Sequence, residues 1–135
     1  MKISTAPLSL VVLAIASIAA CERDPLVAPV ASTISVSATD TTVTPGGSTE
    51  VFAVIVEEAG TPVHNGTVVR FSATLGRVEP EQATTRDGVA RATFTAGSTT
   101  GTAKVTATSG AATASGTTTE TTAGTLGSVV EITIG

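Results

Sequence analysis

From Thr33 onward, apolar and small polar residues alternate with a period of two, and glycine or proline breaks the alternation at short intervals. No other feature constrains the fold as strongly. A period of two puts successive side chains on opposite faces of a strand, so one face is buried and the other wet. Ile34, Val36 and Ala38 alternate with Ser and Thr, Val43 follows, and Pro45-Gly46-Gly47 marks a turn. Ser48 to Glu57 is apolar at nearly every position, so periodicity does not choose its inner face. Gly60-Thr61-Pro62 ends that run and Asn65-Gly66 closes the loop. Thr67 to Thr74 follows, with Val69, Phe71 and Ala73 on one face.

The chain breaks again at Gly76 and Pro80, and a short strand fits Ala83 to Thr85. Asp87-Gly88 is a hairpin signal. Val89 to Ala96 then turns Ala90, Ala92 and Phe94 to one face, and Thr102 to Thr108 turns Ala103, Val105 and Ala107 inward. Val129 to Ile134 is the last strand, with Val130, Ile132 and Ile134 inside. About seven short strands with turn signals between them predict an all-β, antiparallel sandwich of immunoglobulin-like type. Phe52, Phe71 and Phe94 are expected to meet in its core.

The only cysteine, Cys21, excludes an intramolecular disulfide, so apolar burial must hold the domain together. Its position is informative. A short n-region with Lys2 leads to an apolar run from Leu8 to Ala20, too short for a bilayer-spanning helix. The run ends in Ile18-Ala19-Ala20-Cys21, and Glu22, Arg23 and Asp24 follow at once. This resembles the bacterial lipobox. The resemblance implies cleavage before Cys21, acylation of its thiol and amine, and stable membrane anchoring by two or more acyl chains. The alternatives are a secretory signal that leaves Cys21 as a free thiol, and an uncleaved anchor; charge directly after Cys21 argues against the second. Glu22 rather than Asp after the cysteine leans toward the outer membrane by resemblance to enteric sorting rules. Residues 1–20 are thus read as a signal peptide and 21–31 as a lipid-anchored linker, extended through Pro25 and Pro29. Residues 32–135 form the domain.

The middle of the chain resembles the bacterial immunoglobulin-like domains of the invasin and intimin type. Gly60-Thr61-Pro62-Val63, Val69-Arg70-Phe71, Thr85-Arg86-Asp87-Gly88-Val89-Ala90 and Gly101 through Val105-Thr106-Ala107 carry the resemblance, in the family's order and separations. Two departures stand out. Glu57-Glu58 occupies a place where the family often has Asp, and the Thr-rich segment 109–127 replaces a compact final hairpin. That segment is expected either to be a mobile loop or to pair in part near Ala111 to Ser115; a binding or O-glycosylated loop is the sharper reading. The family implies spacer or adhesive modules of surface proteins, usually in tandem behind a binding tip.

Catalytic and cofactor chemistry finds no residues to carry it. The sole histidine, His64, lies in a turn with no second histidine or buried thiol to partner it. Glu57 and Glu58 are adjacent in an extended run and point apart. Glu79, Glu81 and Asp87 read as a solvated acidic rim, with a weak calcium site as the alternative. Asn65-Gly66-Thr67 matches a glycosylation sequon but reads as an Asn-Gly turn. With eleven acids against seven bases and no basic stripe, nucleic acid is not an expected partner. With three Phe and no Trp or Tyr, a stacking platform for sugars or bases is hard to build. The expected protein is therefore not an enzyme. It has no cofactor, no metal and no small-molecule substrate, and it sits in the cell envelope on the membrane through Cys21. Its role is structural or adhesive, toward a protein partner; a glycan or calcium held by the end loops is the alternative. No binding residue beyond Cys21 is assigned.

Overall fold

The computed structural model describes residues 25–114, 118–120 and 126–135. Cys21, the signal peptide and the first linker residues lie outside the described residues. The described chain forms β1 (Thr33–Ala38), β2 (Thr42–Val43), β3 (Ser48–Val56), β4 (Val68–Ala73), β5 (Arg77–Glu79), β6 (Gln82–Thr84), β7 (Val89–Thr95), β8 (Gly101–Thr108), β9 (Thr113–Ala114), β10 (Thr118–Glu120) and β11 (Leu126–Ile134). They pack as two sheets, with strand orders β5-β7-β3-β1-β9 and β10-β11-β8-β4-β6. β2 adds to β11 in parallel. The expected all-β, immunoglobulin-like sandwich is what the chain forms.

The period of two does what the sequence says it should. Ile34, Val51, Ala53, Ile55, Val69, Ala90, Phe94, Ala103, Val105, Ala107, Ile132 and Ile134 are all buried between the sheets. β3, whose inner face periodicity left open, takes Thr49, Val51, Ala53 and Ile55 inward. Its register with β7 decides this, because Val51 pairs with Ala92 and Ala53 with Ala90, whose side chains are already committed to the core.

That register corrects one expectation. Phe71 and Phe94 are core residues, but Phe52 is not. It lies on the outer face of its sheet, half-buried, with the Arg91 guanidinium carbon 5.9 Å from the ring centroid. Arg91 also bonds Glu50 at 2.9 Å, so the three residues form a surface strip across β3 and β7. A cation over an aromatic face is attracted by the ring quadrupole.

Asp87-Gly88 forms the tight turn that its sequence predicts. Asp87 has φ 52° and Gly88 φ 77°, the pair of positive values a two-residue hairpin turn of the mirror type requires. Arg86 and Val89 exchange both backbone bonds, at 2.9 and 3.0 Å. Yet the strands it joins part at once, β6 to one sheet and β7 to the other. Gly88 is needed on steric grounds too, since a Cβ there would stand 2.7 Å from Pro62 Cβ.

Candidate interaction surfaces

The loop residues divide between two ends of the sandwich. One end gathers residues 25–32, the β3–β4 loop, the β6–β7 turn and the start of the segment after β8. The opposite end gathers the β2–β3, β4–β5 and β7–β8 turns, tied by Gly46 N–H to the Gly97 carbonyl at 3.1 Å and Ala96 N–H to the Gly47 carbonyl at 2.8 Å.

At the first end, His64 has its side chain 84% exposed, with Nδ1 3.6 Å from Glu57 Oε1. Its backbone matters more than its ring. The His64 carbonyl accepts from the hydroxyls of Thr67 at 2.7 Å and Thr85 at 2.8 Å, and Thr67 N–H donates to Thr85 Oγ1 at 3.1 Å. Both threonines are buried, so their hydroxyls need partners there, and this knot supplies them. Asn65 Oδ1 accepts from Asp87 N–H at 2.6 Å, and Gly66 N–H donates to the Thr85 carbonyl at 2.8 Å. Asn65-Gly66-Thr67 is thus a structural turn that ties the β3–β4 loop to the β6–β7 turn. β3 ends at Val56, so Glu57 and Glu58 are not the extended pair expected; they open a separate turn, closed by Glu57 N–H to the Thr61 carbonyl and Gly60 N–H to the Glu57 carbonyl, each at 2.8 Å. The structure does not bring Glu79, Glu81 and Asp87 together. Among the described residues, no group of three acids, histidines or cysteines stands close enough to hold a metal ion.

The second half of the segment read as linker lies against the sandwich. The Leu26 carbonyl accepts from Val68 N–H at 2.6 Å, and Ala28 is buried in the core. Gly110 packs on it so closely that a Cβ would lie 2.6 Å from the Ala28 carbonyl oxygen. No sequence signal marks this docking, because a single small residue between two prolines carries no period.

The Thr-rich segment pairs in part, as one of the sequence readings expected. β9 adds to β1 in parallel, through Thr113 and Ala114. β10 adds to β11, which begins at Leu126, before the expected start at Val129. Residues 115–117 and 121–125 lie outside the described residues. Ser128 is a further residue that periodicity does not mark. Buried, it accepts from Val36 N–H at 3.0 Å through its Oγ and joins β11 of one sheet to β1 of the other.

The opposite lateral side is open. β6 pairs with β4 alone among the described residues, in the register Val68↔Thr84, Val69↔Ala83, Arg70↔Gln82. Phe71 N–H bonds the Glu81 carbonyl at 2.8 Å and Thr85 N–H bonds the Thr67 carbonyl at 2.9 Å, so residues 81, 83 and 85 face β4. In an antiparallel ladder the alternate residues face away. The N–H and C=O groups of Gln82 and Thr84 therefore point to the open edge. Arg70 and Gln82 line a shallow hollow on one side of β6, and Thr84, Arg86 and Asp87 line another. Arg70 and Arg86 are exposed, and neither makes an ion pair among the described residues.

No protein-family model and no curated protein matches the chain. Solved structures do. The D0-D1 domain of intimin superposes with a TM-score of 0.57 at 17% identity, over 73% of this chain and 45% of that one. The Yersinia pseudotuberculosis adhesin InvE gives 0.55 at 22% identity, over 82% of this chain and 28% of that one. A glycosyl hydrolase family 2 member from Bacteroides cellulosilyticus gives 0.56 at 19% identity, over 81% of this chain and 15% of that one. The chain spans less than half the length of each. The fold is thus that of the intimin-type bacterial immunoglobulin-like domain, as the motifs implied. Its occurrence within both adhesins and a glycosidase means that fold does not select the activity.

Proposed function

We propose that this is a non-catalytic, lipid-anchored protein of the bacterial cell envelope whose sandwich serves a structural or adhesive role by protein–protein contact. The observation that carries the adhesive part is the open β6 edge, where Gln82 and Thr84 present backbone groups with no partner in the sheet among the described residues. An extended segment of a partner can add there as a further strand. Main-chain bonds then give affinity and side-chain hollows give preference. Arg70 and Arg86 flank the edge, which favours a strand with carboxylates at alternate positions. The anchoring part rests on Ile18-Ala19-Ala20-Cys21, with acylation at Cys21 and delivery to the outer membrane.

Two measurements test this reading. Intact mass of the membrane-extracted protein is expected to show acyl chains on a chain that begins at Cys21; an unacylated chain in the medium would sink the anchor. Cells displaying the protein are expected to lose adhesion on Thr84→Pro, which removes an edge N–H, while protease shaving still finds the domain at the surface. Unchanged adhesion by that variant would remove β6 as the contact.

A further inference from the structure

Leu26, Val27 and Val30 are 48%, 50% and 83% exposed, and they are the exposed large apolar side chains among the described residues. Elsewhere the sandwich keeps its large apolar groups buried or half-buried. All three belong to one stretch, residues 26–30, and that stretch is fixed in place. Val68 N–H holds the Leu26 carbonyl, Ala28 is buried, and Gly110 closes over it. Val27 lines the hollow beside Val68 and Arg70, and Val30 lines one with Glu57 and Glu58. The exposed apolar groups therefore stand at a single end of the domain, beside the β3–β4 loop.

Chain length says what covers that end. Three residues separate Cys21 from Pro25, the first described residue. At roughly 3.3–3.6 Å per residue, the Cα of Pro25 lies at most about 14 Å from that of Cys21. The nine residues of β3 alone run about 30 Å. If Cys21 carries acyl chains, the tether is shorter than the domain it holds, and the same end must sit at the headgroups.

We infer that the N-terminal end of the sandwich is a lipid-contact face, in which Leu26, Val27 and Val30 enter the interfacial layer of the bilayer beside the anchor. This rests on the acylation of Cys21 proposed above. Apolar side chains at the headgroup boundary gain by leaving water, and the anchor already holds them there. The acids Glu57 and Glu58 beside Val30 favour a zwitterionic surface over an anionic one. Val27 shares its hollow with Arg70 and Gln82, so a strand added at β6 would lie beside the membrane, and the opposite end is the one turned away from it.

The sequence offers a clean probe, since it has no Trp or Tyr. Val30→Trp, at an exposed position, and Thr99→Trp, exposed in the β7–β8 turn at the opposite end, report on the two ends. Each full-length protein is extracted from membranes and its mass taken. It is then reconstituted in phosphatidylcholine vesicles with brominated acyl chains. The expected result is an acylated protein in which Val30→Trp emits at shorter wavelength and is quenched by bromine, while Thr99→Trp emits as in water and is not. An acylated Val30→Trp protein with water-like, unquenched emission would overturn the lipid-contact face and leave the anchor standing. Shortened wavelength without bromine quenching would overturn it too, in favour of a protein surface such as a second copy. An unacylated protein that fails to bind vesicles would remove the anchor, and the contact face with it.

Discussion

The two lateral sides of the sandwich use the same local device and end differently. On each, the chain leaves one sheet and joins the other. On the β1 side, residues 39–41 carry the chain across and β2 adds to β11. Thr133 N–H bonds the Thr41 carbonyl at 2.7 Å, Gly135 N–H bonds the Val43 carbonyl at 3.1 Å, and Ser128 accepts from Val36. That side is closed in the sense that these bonds tie one sheet to the other. On the other, the chain crosses between β5 and β6 and returns through Asp87-Gly88, and among the described residues β5 and β6 each pair on one flank only. The crossing strand on the closed side meets β11, nine residues long, whose flank away from β8 takes β10 at its start and β2 at its end. On the open side, β6 has three residues and β4 takes one flank of it. A short edge bordered by arginines also resists non-specific sheet pairing, so the side can stay open without inviting aggregation.

The open side must therefore draw its stability from side-chain burial rather than from edge closure, and removing that burial should give the largest effect. Phe94 is fully buried on β7, paired with Val78 of the edge strand β5. Phe94→Ala is expected to cost about 3–5 kcal/mol. Phe52→Ala, on the outer face under Arg91, is expected to cost about 1 kcal/mol, from its partial burial and the cation contact. Urea unfolding of the two variants checks this; equal losses would mean that the inner and outer faces of β3 and β7 are wrongly assigned.

The return crossing comes next. Gly88→Ala combines a positive φ with a Cβ 2.7 Å from Pro62 and 3.0 Å from the Ile55 carbonyl oxygen, and is expected to cost about 3 kcal/mol. Gly46→Ala has the same φ of 77° but open space around it. It isolates the backbone strain, about 1–2 kcal/mol. If the two variants melt together, crowding at the crossing is not what the glycine relieves.

On the closed side, Ser128→Ala removes the acceptor of a buried N–H. Leaving Val36 N–H without it is expected to cost about 1–3 kcal/mol in thermal unfolding. Ser128→Thr keeps an acceptor, and recovery of stability by Thr would separate the hydrogen bond from packing.

How legible these sides are in the sequence differs for a physical reason. Alternation reports the face a residue takes, so Ile34, Phe94 and Ile132 could be placed from the sequence alone, and Asp87-Gly88 announces its own turn through the φ values it permits. Edge identity depends on which strands meet at long range. Nothing local in Gln82-Ala83-Thr84 says that β6 has a neighbour on one flank and, among the described residues, none on the other, and nothing in Ser128 says that it spans two sheets. The β3 run shows the middle case. Its inner face cannot be read from a stretch that is apolar at nearly every position, and only pairing with β7 fixes the register that turns Phe52 outward. The docking of residues 25–31 is illegible for the same reason as the edge, since a carbonyl meeting Val68 N–H leaves no mark in composition.

The smallest expected effect on stability is the most diagnostic. Proline removes an N–H and so damages a strand only where that N–H is used. Ala83 faces β4, and Ala83→Pro should cost about 3 kcal/mol. Thr84, one residue on, faces the open edge, and Thr84→Pro should change stability by less than about 0.5 kcal/mol, the range of an ordinary surface substitution. A contrast of that size between neighbouring residues has no explanation in propensity, because proline is equally foreign to both positions of a strand. It follows only if β6 has one bonded flank and one bare one. If Thr84→Pro destabilises as much as Ala83→Pro, the second flank is occupied, the two lateral sides are alike, and the route to a partner must lie elsewhere on the sandwich.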